Sequence, residues 1–164
     1  MKTRTQKIVM ASMIAALCCI ATMVIKVPTL IKGGYLNLGD SIVLLAGWLL
    51  SPMYGFLAAG IGSALADLFL GYFIYAPATF IIKGLMAVVV FYGYRHAKKK
   101  NASAAWRVLY CALAEMIMVF GYFIFEIFLY GFAASAINIP MSAIQGVAGL
   151  IVGIALIKIF EKRM

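Results

Sequence analysis

Long apolar runs, separated by a few short polar breaks, make up most of the chain. Within these runs, apolar and polar residues do not alternate with a period of two, which excludes a barrel of membrane-spanning strands. Runs of this kind are typical of helices that satisfy their own backbone hydrogen bonds inside a lipid bilayer. The pattern therefore predicts an all-α, polytopic membrane protein in which residues 1–164 form a single domain. Its six transmembrane helices are expected over 8–27, 38–50, 53–70, 79–94, 108–130 and 137–160.

Basic residues predict the topology of these helices. They form three clusters, within residues 2–7, 95–100 and 158–163. Because such clusters stay on the cytoplasmic side, an even number of crossings must separate one cluster from the next. The second segment must then cross, although its 13 residues fall short of the about 20 that a spanning helix needs. We expect both termini to be cytoplasmic. The outer loops are then 28–37, 71–78 and 131–136.

Composition and charge exclude other classes of protein. The chain is 66% hydrophobic and 12% charged, whereas soluble domains are about 45–50% apolar and about 25% charged. The net charge of +9 does not indicate nucleic acid, because Lys and Arg lie mostly at the ends of the apolar runs. The first run lacks an A-x-A cleavage site and further runs follow it, so we interpret it as a retained helix. The expected location is the bacterial cytoplasmic membrane.

Sequence signatures of enzymes and metal sites are absent. HExxH, GxSxG and GxxxxGK[ST] do not occur in the chain. Cys18, Cys19 and Cys111 lie in apolar runs without CxxC spacing, so we interpret them as packing residues. We therefore expect no catalysis, metal or cofactor. The energy for uphill transport would have to come from a partner or from an ion gradient.

Four ionisable residues are the clear cases inside the predicted helices. Each costs about 2.5–3.5 kcal/mol in a bilayer, so each calls for a use or a partner. Asp67, Lys83 and Glu126 lie near the predicted outer ends, and Glu115 lies deeper. Because helical residues follow one another at about 100°, Glu115 and Glu126 share a face. Tyr122 joins that face one turn before Glu126.

A second polar stripe and the outer loops predict a pocket. Asn138, Ser142 and Gln145 recur at helical spacing on the sixth segment. Lys83 lies about 9 Å below the preceding outer loop, so loop groups could close over it. Aromatic faces with a few polar groups suit a small ring-bearing ligand with hydroxyls. The candidate loop groups are Asn37, Asp40, Tyr72 and Tyr75. The predicted substrate-binding residues are Asn37, Asp67, Tyr75, Phe80, Lys83, Tyr122, Glu126, Asn138, Ser142 and Gln145.

Structural interpretations of the same residues remain open at this point. Asp67 and Lys83 could form a buried ion pair between the third and fourth segments. The stripe that begins at Asn138 could only hydrogen-bond to a neighbouring helix. For Asp40, capping of the start of the second helix is the favoured interpretation.

Four motifs in the first half of the chain are similar to those of a known family. They are YLNLGD at 35–40, GWLLSPMYG at 47–55, ALAD at 64–67 and YAPATFIIKG at 75–84. With these motifs the chain resembles the substrate-binding S-components of energy-coupling factor (ECF) transporters. The resemblance is to the group that includes the riboflavin, hydroxymethylpyrimidine and pyridoxine S-components.

The resemblance implies a six-helix subunit that captures a vitamin near the outer face, under the loop after the first helix. It also implies partners, namely a transmembrane coupling protein and two ABC-type ATPases. In the implied mechanism the S-component itself topples in the membrane to deliver its ligand. In that family an A-x-x-x-A motif on the first helix docks on the coupling protein, and Ala11 and Ala15 fit it.

The sequence leaves the vitamin and two other functions open. A pocket with Lys83 and acids suits a neutral hydroxylated heteroaromatic molecule, so pyridoxine or hydroxymethylpyrimidine is favoured, with riboflavin next. Thiamine would place a fixed positive charge near Lys83. The alternatives to a vitamin-binding subunit are a solitary ion-coupled carrier, with Glu115 and Glu126 relaying protons, and an accessory membrane subunit without a ligand.

Overall fold

The computed structural model describes residues 3–24, 26–28, 35–99 and 104–162. In this part of the chain there are six helices and two short strands. In chain order they are α1 (Arg4–Val24), β1 (Lys26–Pro28), β2 (Tyr35–Asn37), α2 (Gly39–Leu49), α3 (Pro52–Phe69), α4 (Ala76–Lys99), α5 (Ala104–Tyr130) and α6 (Phe132–Glu161). The helical class is confirmed, and the antiparallel β1–β2 ribbon is an addition that the sequence did not predict.

Five of the described helices, all except α2, are long and apolar enough to cross a membrane. Many large apolar side chains lie on the outside of the bundle, as Val24 (72% exposed) and Phe128 (82% exposed) illustrate. An outer surface of this kind is suited to lipid rather than to water. Six crossings therefore remain a prediction, because the eleven residues of α2 extend only about 16 Å.

The short helix α2 begins inside the bundle rather than at its edge. Asp40, in the first turn of α2, bonds to Gln145, which lies close to the middle of α6. The preceding strand β2 also reaches this depth, since the Asn37 backbone N–H donates to the same Gln145 side chain. The chain therefore enters the bundle as a strand and turns into α2 about halfway down. This entry explains why the second apolar segment is too short for a full crossing.

Several helix boundaries differ from the predicted ones, and two of the differences replace predicted loop by helix. Helix α4 continues through Lys99, so most of the predicted basic loop is helical. Helix α6 begins at Phe132, which reduces the predicted loop between α5 and α6 to Gly131. Gly131 has a φ of 83°, a backbone conformation that glycine adopts without a Cβ clash. Its N–H still donates to the Ile127 carbonyl, so α5 ends and α6 begins within one residue.

The described residues of the basic clusters lie at one end of the bundle. Arg107, near the start of α5, forms an ion pair of 2.8 Å with Glu161, at the end of α6. His96, near the end of α4, lies 6.1 Å from the Trp106 ring. Helix α1 ends against the start of α2, away from this end, so α1 begins here too. This arrangement supports the predicted parity of crossings, with the opposite end carrying the turn at Gly131.

Small residues let the helices pack closely around a common core. Gly62 of α3 lies directly against the Ala15 carbonyl of α1, and a Cβ at that position would overlap it. On another face of α3, Gly60 lies against Phe80 of α4. Contacts on several faces of α3 were predicted from its small residues. The core that they surround includes Leu44, Met86, Met118 and Ile157, from α2, α4, α5 and α6.

Candidate functional site

A buried ion pair between α2 and α4 lies at the centre of the polar residues. The Lys83 ammonium pairs with the Asp40 carboxylate, and both residues are almost fully buried. Gln145 Nε2 of α6 donates to the other oxygen of Asp40 at 2.7 Å. Because three helices meet in these bonds, their relative positions depend on one carboxylate. We call Asp40, Lys83, Gln145 and the neighbouring Glu115 the deep cluster.

Glu115 enters the deep cluster from α5. Its carboxylate lies beside Gly149 of α6, and the Asp40 side chain lies against the same glycine. A Cβ at Gly149 would be 2.7 Å from Asp40 Cβ and 2.9 Å from Glu115 Oε1. Because Gly149 has no side chain, the Asp40 and Glu115 side chains can both pack against α6 at this position. In the described ranges, neither oxygen of Glu115 has a hydrogen-bond partner.

Asn37 connects the end of β2 to the deep cluster. Its backbone N–H donates to Gln145 Oε1 at 3.0 Å, while its side-chain Oδ1 accepts the Gly39 N–H at 2.8 Å. Gln145 thus holds Asn37 with its carbonyl and Asp40 with its amide nitrogen. The side chain of Asn37 satisfies a backbone donor at the start of α2, which is a role typical of Asn in turns.

The favoured interpretation of Asp40 as a helix cap was wrong. The N-cap position of α2 is Leu38, whose carbonyl accepts the Ser41 hydroxyl at 2.7 Å. Asp40 lies within the first turn, and its oxygens face Lys83 and Gln145 instead. Its negative charge at the start of a helix is still favourable for the helix dipole. The alternative pairing of Lys83 with Asp67 is also corrected, since Lys83 pairs with Asp40.

A second group of polar residues lies nearer the end of the bundle that carries the turn at Gly131. We call these residues, Tyr75, Glu126 and Asn138, the rim cluster. Asn138 Nδ2 of α6 donates to both oxygens of Glu126 on α5, at 2.9 and 3.1 Å. The Tyr75 hydroxyl, just before α4, donates to Glu126 Oε1 at 3.3 Å. Burial raises the pKa of the Tyr75 phenol, and the Glu126 charge acts in the same direction. Tyr75 therefore stays protonated and available as a donor.

Tyr122 connects the two clusters. Its hydroxyl shares a hydrogen bond of 2.9 Å with Thr79 Oγ1, and its ring centroid lies 5.4 Å from Lys83 Nζ. The Tyr75 ring lies 6.4 Å from the Tyr122 ring. The polar residues therefore form a continuous path from the rim cluster to the deep cluster, with aromatic rings along it. Thr79 was missed, although it lies one turn before Lys83 on the same helix face.

Three of the predicted site residues, Asp67, Phe80 and Ser142, have different surroundings from one another. Phe80 packs edge to face on Phe56, at 5.3 Å between centroids, and so faces α3. Asp67 is buried near the end of α3, where its carbonyl accepts the Tyr72 N–H at 2.8 Å. Ser142 is half-buried on α6. In contrast, Asn138 and Gln145 bond to neighbouring helices, as the structural interpretation of their stripe also predicted.

A groove of about 630 Å³ lies between α1 and α3, on the outside of the bundle. Ala11 and Ala15, the two residues of the A-x-x-x-A motif, lie in it. Ala58 and Ile61 are among the α3 residues on its other side. The groove is therefore apolar and carries small residues where the motif is placed, and another apolar helix can approach such a surface closely.

Comparisons with known proteins agree with this architecture. Residues 2–162 match the family model described as "ECF-type riboflavin transporter, S component". A Pyrococcus woesei protein, described as "Uncharacterized protein in gap 3'region", is 34% identical over 145 residues, which are 88% of this chain and 95% of that protein. A solved structure, described as "Structure and mechanism of the S component of a bacterial ECF transporter", has a TM-score of 0.73. It covers 98% of both chains at 21% identity, a level at which the likeness shows the fold.

Proposed function

Because this chain belongs to the family of ECF-type riboflavin transporter S components, we propose that it binds a vitamin within the membrane and delivers it to an ATP-driven importer. The observation that carries this proposal is the continuous polar path inside an otherwise apolar bundle. Five elements contribute to it, namely β2, α2, α4, α5 and α6, through Asn37, Asp40, Lys83, Glu126 and Gln145. Buried polar side chains that converge in this way are typical of a ligand site in a membrane protein.

Riboflavin is the ligand that we propose first. The family description names it, and the path combines the rings of Tyr75 and Tyr122 with hydrogen-bonding groups at both ends. Such a lining can stack against a flavin ring and bond to its hydroxylated chain. Pyridoxine and hydroxymethylpyrimidine, which the residues alone favoured, are the competing ligands.

We expect the detergent-purified protein to bind one riboflavin per chain, and Asn138→Ala to weaken binding about 10–100-fold. The variant removes the Asn138 amide, which donates to both oxygens of the Glu126 carboxylate, a loss of about 1.5–3 kcal/mol for a hydrogen bond to a charged group. Lys83→Ala should weaken binding at least as much. Isothermal titration calorimetry measures both, with pyridoxine and hydroxymethylpyrimidine as competitors.

Glu161→Gln serves as the matched control for these titrations, because it removes an exposed acid at the far end of the bundle. Its affinity should equal that of the unmodified protein. Equal affinity in all four proteins would remove the polar path from the ligand site. Saturable binding to none of the three vitamins would instead favour the accessory subunit without a ligand.

For the partner, we propose a transmembrane coupling protein that packs on the α1–α3 groove, with two ABC-type ATPases attached to it. Trp at Ala11 or Ala15 would fill the groove and hold an approaching helix away. We expect Ala11→Trp and Ala15→Trp to abolish co-purification with the coupling module. Met13→Trp is the control, because Met13 is 62% exposed and does not line the groove. Equal assembly in all three variants would contradict docking at this groove.

The energy source separates this proposal from a solitary carrier. In proteoliposomes, uptake of riboflavin should require the coupling module and ATP, and an uncoupler should leave it unchanged. Uptake by this chain alone, abolished by the uncoupler, would favour the ion-coupled carrier instead.

A further inference from the structure

Three buried acceptor oxygens along the polar path have no partner among the residues that the structure describes. They are both carboxylate oxygens of Glu115 and the side-chain oxygen of Asn138. The two residues are only 5% and 3% exposed. Buried acceptors in native proteins are almost always satisfied, so an unsatisfied one requires an explanation. A ligand that brings the missing donors is one.

The unsatisfied acceptors lie at opposite ends of the path. On α5, Glu115 is eleven residues before Glu126, the hydrogen-bond partner of Asn138. On α6, Asn138 is eleven residues before Gly149, which lies against Glu115. Both helices thus give a separation of about 16 Å along the bundle. After a hydrogen bond of about 2.9 Å at each end, the ligand itself must be about 10 Å long. A single pyridine or pyrimidine ring with hydroxymethyl groups is shorter than this.

The deep cluster combines one unsatisfied acceptor group with two donors. The Lys83 ammonium carries three N–H groups, and its described hydrogen bond to Asp40 uses one of them. The Gln145 amide carries two, which meet Asp40 and, at 3.9 Å, the weak acceptor Met118 Sδ. Lys83 therefore retains N–H groups for a ligand, and Gln145 can offer one in exchange for its contact with Met118. An unsatisfied acceptor that shares its cluster with donors is complementary to a ring edge that presents an N–H beside carbonyl groups. A cyclic imide, such as the pyrimidinedione edge of a flavin, has this pattern.

We propose that Glu115 is a specificity-determining residue that accepts the imide N–H of an elongated ligand, while Asn138 Oδ1 accepts a hydroxyl at its other end. This inference rests on the proposed function and makes it more specific. Lys83 and Gln145 donate to the two carbonyls that flank the imide. The site therefore recognises a ligand with donors at both ends rather than a compact vitamin ring. A site that pairs with a ligand N–H rejects analogues without it, because its own acceptor is then left buried and unpaired.

Riboflavin and 3-methylriboflavin test the deep end, because they differ at the imide nitrogen. We expect the unmodified protein to bind the methylated analogue at least about 100-fold more weakly. Glu115→Met replaces the carboxylate by an apolar side chain of similar length. In this variant the affinities for the two flavins should differ by less than about 3-fold, while the thermal stability is unchanged or higher, since an unsatisfied buried acceptor is removed. Glu161→Gln should keep the full discrimination.

Lumiflavin, which lacks the hydroxylated chain, tests the rim end in the same way. The unmodified protein should prefer riboflavin to lumiflavin at least about 10-fold, and Asn138→Leu should lose that preference. The inference is overturned if riboflavin binds but the unmodified protein accepts 3-methylriboflavin equally well. It is also overturned if Glu115→Met keeps the discrimination. Both of these results would leave the proposed function intact, whereas absence of riboflavin binding to the unmodified protein would remove both.

Discussion

Asp40→Ala is expected to lower the free energy of unfolding by about 3–5 kcal/mol, because it leaves the buried Lys83 ammonium without its counter-charge. The same change removes the acceptor of Gln145, so three helices lose a shared contact. Unfolding by sodium dodecyl sulfate in mixed micelles, followed by circular dichroism, measures the loss.

Two further variants separate the ion pair from general effects of losing an acid. Glu161→Gln breaks the ion pair between Glu161 and Arg107, in which the Glu161 side chain is 42% exposed and the Arg107 side chain 19%. Such a pair is worth about 0–1 kcal/mol. The double variant Asp40→Leu, Lys83→Met replaces the buried pair by apolar side chains and should recover part of the stability, although not ligand binding. If Asp40→Ala lost no more stability than Glu161→Gln, the buried pair would have no structural role.

Gly149→Ala is expected to lower the free energy of unfolding by about 1–3 kcal/mol, the usual cost of an extra methyl group in a tightly packed site. The added Cβ would be 2.7 Å from Asp40 Cβ and 2.9 Å from Glu115 Oε1, so α6 or both side chains must move. Riboflavin affinity should fall with stability, because these side chains belong to the deep cluster. Thermal unfolding and calorimetry on the same sample measure the two effects.

Gly146→Ala provides the control on the same helix, one turn earlier. Its nearest neighbour would be Glu115 Cβ at 3.4 Å, which is ordinary van der Waals contact. Because Ala is up to about 1 kcal/mol better than Gly in a helix interior, this variant should be as stable as the unmodified protein or more stable. Equal effects at Gly149 and Gly146 would show that helix propensity, rather than space in the deep cluster, determines the result.

Because β2 enters the bundle, residues of β2 and of the first turn of α2 can reach the deep cluster. Asn37 and Asp40, three residues apart, both lie at the depth of Gln145, close to the middle of α6. Irregular backbone is tolerated at such depth only where protein side chains satisfy it. Gln145 performs this function for the Asn37 N–H. A substitution of Gln145 would therefore affect both the backbone of β2 and the ion pair.

Much of the architecture followed from the sequence alone. The lengths of the apolar runs predicted the helices, because a bilayer requires long apolar segments with internally bonded backbones. The clusters that include Lys7, Lys98 and Lys162 were predicted to share one side, and they lie at one end of the bundle. Four motifs identified the family, which the match over residues 2–162 confirmed. Glu126 and Asn138 were each predicted to line one site, and they bond to each other.

Only the tertiary structure decided which polar side chains meet. The partner of Lys83 is Asp40 rather than Asp67, and Phe80 faces α3 rather than the polar path. Helical periodicity determines which residues share a face, but it does not determine the depth at which one helix passes another. That depth depends on where the chain enters the bundle and on contacts such as that of Gly149. Residues at opposite ends of the sequence, such as Asn37 and Gln145, are brought together by packing that no local pattern contains.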